Sequence, residues 1–284
     1  MPPRDNPTAR QARLGAELRK LRERAGRPAR EAGGLLGVDQ AKISNIESGR
    51  IGVSEERIRR LAAFYSCADA ALVDALCAMA REHRGQFWWD EYRGILAPVF
   101  LDIAELEHHA VRMQSMQTLS IPGLFQTEEY SRALFSGVVP PLPTDEIDAR
   151  VEHRWRRRGV LERENPPPYE AIVHEAALRM RFGGRKVVRA QLEHLLEAAT
   201  WSTVTVRVLP FTVERFIEVT QPLLYVEGAV PQLDTVQMDS PFGGRYLDAE
   251  AELQKHRTLL DIARNLSFGV AQSRQFIHHI AREL

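Results

Sequence analysis

The sequence predicts a mainly α-helical protein in two parts: an N-terminal five-helix domain over residues 8–84 and a C-terminal α+β domain with a small sheet over residues 85–284. Three observations predict this. From Thr8 to Arg84, apolar residues recur at the spacing of one helix face, in short runs punctuated by glycines. The first convincing strand comes only after Asn165 and its three prolines, and further short segments rich in β-branched or aromatic residues follow. Helical runs flank those strands, which gives an α+β architecture.

The opening MPPRDNPTAR is Pro-rich and polar and reads as a disordered or loosely held arm. Leu14, Leu18, Leu21 and Ala25 then mark the apolar face of a charged first helix, stopped by Gly26. Pro28 suits the first turn of a second helix carrying Ala32, Leu35 and Leu36, which Gly37 ends. Asp39 can cap a third helix from Gln40 to Glu47, with Gly49 placed to terminate it in a left-handed conformation. Ser54 caps a fourth helix, with Ile58, Leu61 and Phe64 on its apolar stripe, and a fifth runs from Asp69 to Arg84.

Beyond the aromatic cluster FWWDEY, a long helix is expected from Asp102 to Thr118, then a turn at IPGLF and a helix capped by Thr127. A charged helix follows from Thr144 to Glu164. YEAIVH, TVTVRVLPF, PLLYVE and LDTVQMD read as strands, with a helix through GGRKVVRAQLEHLLEAAT and two closing helices, Asp248–Asn265 and Gly269–Arg282. FGGR occurs at Phe182–Arg185 and at Phe242–Arg245, and turn chemistry accounts for both better than a phosphate cradle.

A length of 284 residues allows one large domain or two ordinary ones. The formal net charge is +0, but of 38 Lys/Arg and 38 Asp/Glu, residues 1–84 carry 16 and 11, leaving 22 and 27 for the rest. An excess of positive charge in the first part suits a polyanionic partner. Two cysteines, no secretory signal and no run near the roughly 20 apolar residues of a membrane span point to a soluble, cytoplasmic protein with no membrane partner.

On a wheel at about 100° per residue, Ile43 and Ile46 turn to one side of the third helix and Ala41, Ser44, Asn45 and Ser48 to the other, flanked by Gln40 and Lys42. Short hydrogen-bonding side chains around an alanine permit close approach to a groove. Gln or Asn can bond an adenine edge in bidentate fashion, Lys can reach guanine acceptors and Ala can meet a thymine methyl. Helix, Gly, short helix, Gly, helix is the helix-turn-helix layout, whose second helix lies in the major groove.

The stretches GAELRKLRERAG, LLGVDQAKISNIESGR and ERIRRLAAFY resemble the lambda-repressor-like helix-turn-helix domain of the xenobiotic-response-element (XRE) type. That resemblance implies Gln40, Ala41, Lys42 and Asn45 as base-facing residues and Ser44 and Arg50 as phosphate contacts. It also implies a structural ion pair between Arg22 and Glu47, and the wheel independently turns Glu47 toward the protein body. The second helix departs from the family pattern: it has Ala29, Arg30, Ala32, Gly33 and Gly34, so Arg30 is the candidate for its phosphate contact. Each interior glycine costs about 1 kcal/mol of helix propensity relative to alanine, so this helix is the expected weak point.

WWDEY, SIPGLFQTEEYSRALF, HEAALRMRFGGRKVVRAQLEHLLEAA and VTVRVLPF resemble the C-terminal domain of WhiJ-like and antitoxin-like actinobacterial regulators. This resemblance implies dimerisation and a small partner protein encoded nearby, and brings no catalytic residues. A search of the residues for catalysis finds none: there is no nucleophile elbow and no P-loop, and the pairs His108-His109 and His278-His279 are adjacent and cannot face one another on a helix. Glu105 and His108 form one half of a helical carboxylate-and-histidine metal motif without a second half. No enzyme activity, metal or cofactor is expected. HRWRRR, His153–Arg158, reads more as a solvated helix face than as a site for acidic partners or DNA.

The expectation is therefore a sequence-specific, DNA-binding transcriptional repressor, a nucleoid-associated homodimer on double-stranded DNA with a palindromic operator, controlled by a small partner protein or ligand. The alternative is an antitoxin-like protein that sequesters a small partner and binds DNA for autoregulation. A third reading, a ligand sensor, would place a pocket between FWWDEY and the sheet.

Overall fold

A computed structural model describes residues 6–82, 85, 87–219, 221–240 and 243–284. The start of the proline-rich arm, His83, Arg84 at the end of the expected fifth helix, and Phe242 of the second FGGR lie outside the described residues. The chain divides into two compact units, residues 1–91 with 229–233, and residues 92–228 with 234–284. Among the described residues, no helix is long and apolar enough to cross a membrane.

Among the described residues, the first unit holds five α-helices, α1 (Ala9–Arg24), α2 (Ala29–Leu36), α3 (Gln40–Glu47), α4 (Glu55–Phe64) and α5 (Ala70–Arg81). Except at α2, which follows Pro28 without a side-chain cap, their starts are set by side chains that accept backbone N–H groups left without helical partners. Thr8 and Gln11 form a reciprocal capping box, and Asp39, Ser54 and Asp69 accept from Lys42, Arg57 and Leu72. Leu18, Ile43, Ile46, Ile58, Leu61 and Leu76 are buried together, each contributing roughly 1.5–3 kcal/mol of burial.

Two glycines let backbones meet in this unit. A Cβ on Gly15 in α1 would lie 2.5 Å from the Glu47 carbonyl oxygen, so α1 and α3 approach backbone to backbone there. A Cβ on Gly33 in α2 would lie 2.7 Å from the Val38 carbonyl oxygen, inside the turn that leads to α3. Gly34 has open space at the same position. Only Gly33 of the two α2 glycines is therefore required by packing.

The second unit follows with α6 (Pro98–His108), β1 (Arg112–Gln117), α7 (Glu128–Ser136), α8 (Thr144–Arg157), α9 (Gly159–Glu162), β2 (Tyr169–His174), α10 (Glu175–Arg179), α11 (Arg185–Ala198), β3 (Val204–Leu209), β4 (Leu223–Glu227), β5 (Thr235–Met238), β6 (Arg245–Leu247), α12 (Glu250–Leu266) and α13 (Val270–Glu283). The strands form one mixed sheet in the order β3-β2-β1-β4-β5-β6. β1, β2 and β3 run parallel, and β1, β4, β5 and β6 pair antiparallel. Alternation along the strands gives the sheet two apolar faces. Met113, Ala171, Val173, Val206 and Val208 pack with Leu192, Leu195, Ile277 and Ile280 of α11 and α13, while Met116, Ile172, Leu209 and Tyr225 pack with Leu253, Leu260 and Ala263 of α12. The outer edge of β3 is closed at Val208, whose N–H donates to Ser273 Oγ at 3.0 Å and whose carbonyl accepts from Phe268 at 2.9 Å.

The structure corrects three expectations. The helix expected over Asp102–Thr118 ends at His108, and RMQSMQ is β1, at the centre of the sheet. Met and Gln favour helix locally, but ladders to β2 and β4 on both sides outweigh that preference, and Ser115 Oγ is satisfied by Tyr169 Oη at 2.9 Å. The helix expected to reach Glu164 stops at Arg157 and is followed by the separate turn α9. HRWRRR is not a solvated face. His153 is fully buried, and Arg157 is clamped by Glu107 through bonds of 2.8 and 2.5 Å. Arg154 lies 4.3 Å from the Phe135 ring centroid and donates to Gln126 at 2.7 Å. Trp155, in the same run, is about half exposed.

The FGGR at Phe182–Arg185 is a turn, with Gly183 and Gly184 at φ of 77° and 92° and Gly184 opening α11. Cys67 and Cys77 are free thiols.

Candidate nucleic-acid interface

The helix α3 owes its position to what lies behind it. Ile43 and Ile46 are buried in the core of the first unit, and Gly15 brings α1 against the carbonyls of Ile46 and Glu47. A bidentate pair fixes its rotation: Arg22 Nε donates to Glu47 Oε1 at 2.6 Å and Arg22 Nη2 to Oε2 at 2.9 Å. Arg22 Nη1 also donates to the Arg27 carbonyl at 2.9 Å, which ties the pair to the loop that opens α2. The hydrogen bond to Glu47 raises the pKa of Arg22, while burial, aided by the Glu47 charge, pushes the Tyr65 hydroxyl up to about 12. Both groups keep their protonated forms across the accessible pH range.

The other side of α3 faces solvent. Gln40, Ala41 and Ser44 are exposed, and Lys42 and Asn45 are half-buried. The Asp39 side chain accepts from the Lys42 backbone N–H at 2.7 Å, so the helix starts at a defined residue and the side-chain amine of Lys42 is left out of the cap. Ser44 Oγ donates back to the Gln40 carbonyl at 3.2 Å, and Ser48 Oγ to the Asn45 carbonyl at 3.2 Å. Both hydroxyl oxygens keep lone pairs toward the exterior. Arg30, Lys42 and Arg50 make no ion pair among the described residues, whereas Arg19 and Arg27 pair with Glu23 and Glu31. Arg30 and Arg50 are exposed. Among the described residues, three cations without an internal ion pair thus accompany an array of amide, hydroxyl and methyl groups on α3.

All of the residues expected to contact DNA, and the Arg22–Glu47 pair, fall in this one unit. Gln40, Ala41, Lys42, Ser44 and Asn45 are on α3, Arg50 follows its end, Arg30 is in the first turn of α2, and Arg22 and Glu47 meet behind α3. The structure adds Arg19 and brings to it Ser48, which the wheel already placed on the polar side of α3. Together with Gln40, Ser44, Ala29 and the Arg22–Glu47 pair, they line one concavity at the junction of α1, α2 and α3. Arg19 lies one turn before Arg22 on α1, a periodicity that could have marked it, but its neighbouring charges made it look like any solvated helix face.

Among the described residues, no group of three or more His, Cys, Asp or Glu is placed to hold a metal ion. The described cavity of the second unit opens at the ends of the parallel strands and is not lined by Trp88 or Trp89.

A family model, the domain of unknown function DUF5753, matches residues 100–279. The chain belongs to the DUF5753 family. A helix-turn-helix domain model matches residues 13–76 of this DUF5753 protein, which spans α1 to α5 almost completely. The first unit is thereby a DNA-binding helix-turn-helix domain, and the protein is a DNA-binding regulator of XRE-like type. No curated protein and no solved structure matches the chain.

Proposed function

We propose that this DUF5753 protein is a sequence-specific transcriptional repressor whose helix α3 reads the major groove. One observation carries the reading: a helix locked from behind by Gly15 and the Arg22–Glu47 pair presents Gln40, Ala41, Lys42 and Asn45 outward. In this reading Gln40, Lys42 and Asn45 bond base edges, Ala41 meets a thymine methyl, Arg50 and Arg30 hold phosphates, and Ser44 does so by swinging its O–H from the Gln40 carbonyl to a phosphate oxygen. Arg22 and Glu47 orient the reading helix without touching DNA.

The functional form is a homodimer on a palindromic operator, because two copies of one reading helix match a site with the same two-fold symmetry, with half-sites about one helical turn apart. The second unit supplies the dimer contact and the surface through which a small partner protein or a ligand acts, in the manner of WhiJ-like regulators. The helix-turn-helix domain proper ends near residues 84–85, and the segment from there to residue 91 joins it to the second unit.

The two classes of contact separate by salt. In gel shifts against the DNA upstream of its own gene, Lys42→Ala should relax base preference, while Arg50→Ala should weaken all sequences alike and reduce the salt slope by about one. Identical salt slopes for wild type and Arg50→Ala would remove Arg50 from the phosphate contacts.

A further inference from the structure

The second unit contains a cavity of about 510 Å³, within the usual range for small-molecule sites of roughly 300–1,000 Å³. It lies outside the carboxyl ends of the three parallel strands. Met116 and Thr118 come from the end of β1, His174 is the last residue of β2, and Leu209 is the last of β3. Open sheets with parallel strands bind ligands at this place because the connections leave the strand ends there and spread apart.

The lining is specific. Leu209 and Met116 form an apolar floor continuous with the α12 face of the sheet, and Phe211 and Phe216 stand at the rim, 58% and 79% exposed. Large aromatic side chains left this exposed around a concavity lack the burial that would otherwise justify them. Between floor and rim sits His174. Its Nδ1 accepts the Ala176 backbone N–H at 3.2 Å, and its ring meets Phe211 edge-on at 5.3 Å. Because Nδ1 is an acceptor, the neutral ring must carry its proton on Nε2, which gives the cavity one oriented N–H donor. Burial lowers the pKa of His174, which keeps that tautomer at neutral pH. Glu214 and Arg215 both line the opening, so their charges offset and favour neither an anion nor a cation.

We propose that this cavity is a binding site for a small, uncharged, mainly apolar molecule whose hydrogen-bond-accepting oxygen takes the proton of His174 Nε2. The inference rests on the second unit alone and stands or falls separately from DNA binding. Its test uses the full chain without DNA and the neutral ketone dye prodan, a flat apolar body with one carbonyl oxygen. Fluorescence titration should show one saturable site per chain with blue-shifted emission. Ala176→Trp should fill the cavity and abolish binding. His174→Phe should weaken binding about tenfold at most, the worth of one hydrogen bond, and shift the emission further to the blue as the carbonyl loses its donor. His174→Gln, which restores an N–H, should recover most of that loss. Far-UV circular dichroism and thermal melting establish that each variant is folded. If Ala176→Trp fails that check, the spectral shift in His174→Phe decides. No saturable binding, equal binding by folded Ala176→Trp, an unchanged spectrum in His174→Phe, or tighter binding of the anionic dye 1-anilinonaphthalene-8-sulfonate would each overturn the proposal. Gel shifts on the same variants report the DNA reading independently.

Discussion

Gly33 and Gly34 are neighbours in α2, yet they should respond to alanine in opposite directions. At Gly34 the new methyl meets nothing, so Gly34→Ala should stabilise the first unit by about 1 kcal/mol through helix propensity alone. At Gly33 it would collide with the Val38 carbonyl, so Gly33→Ala should destabilise, by roughly 1–3 kcal/mol as for other overpacked sites. Urea unfolding of the two variants checks both signs, and equal shifts would mean that the turn into α3 has room for a methyl group. The Arg22–Glu47 pair belongs to the same scale. The two side chains are only 12% and 9% exposed, so Arg22→Ala leaves a largely buried carboxylate without its partner. A destabilisation of about 3 kcal/mol is expected, the lower end of the range for breaking a buried pair. A change under about 1 kcal/mol would show that the pair behaves as an ordinary surface bridge.

Among the elements, β1 is the one whose identity local sequence conceals. Its backbone bonds run to β2 on one side and to β4 on the other, so the amides of Met113–Met116 should exchange with deuterium only on global unfolding of the second unit. Fast exchange there would contradict the strand order. The helices of the first unit, by contrast, were legible because most of their limits are written locally: Thr8, Asp39, Ser54 and Asp69 cap, and Gly26, Gly37 and Gly49 stop, with the glycines at φ of 64°, 66° and 73°. The polar side of α3 could be traced for the same reason, since one wheel over eight residues separates it from Ile43 and Ile46, which are buried. RMQSMQ carries no such mark. Its strand character comes from partners more than 50 residues away, and its buried Ser115 makes sense only once Tyr169 is beside it. HRWRRR misled for a related reason: a run of arginines on one helix suggests water, and only the fold shows that Glu107, Gln126 and Phe135 receive two of them. Arg19 was hidden because its concavity needs three helices at once.

For the whole molecule, pH and DNA give the two broadest tests. His153 is fully buried between the rings of Tyr92 and Phe100, and burial, then the charges of Arg157, Arg154 and Arg156, push its pKa down to about 3. Its ordinary value is 6.5, so the neutral ring is favoured by folding. The contribution is therefore fully present above pH ~6.5 and is lost as pH falls through the interval down to about 3. Chemical denaturation from pH 7 to pH 4 should show the second unit weakening on acidification. His153→Phe, which keeps a ring in the same aromatic setting, should flatten that slope, and an unchanged slope would place the acid sensitivity in other groups. The DNA-reading claim is tested most directly by a binding titration of the full chain on its own upstream DNA, comparing wild type with Asn45→Ala at one fixed salt concentration. Removing the Asn45 amide from the base edges should cost about 1–3 kcal/mol of discrimination, seen as a roughly tenfold or larger weakening on the preferred site with no change on unrelated DNA. Equal affinity of Asn45→Ala and wild type for the preferred site would contradict the assignment of α3 as the reading helix.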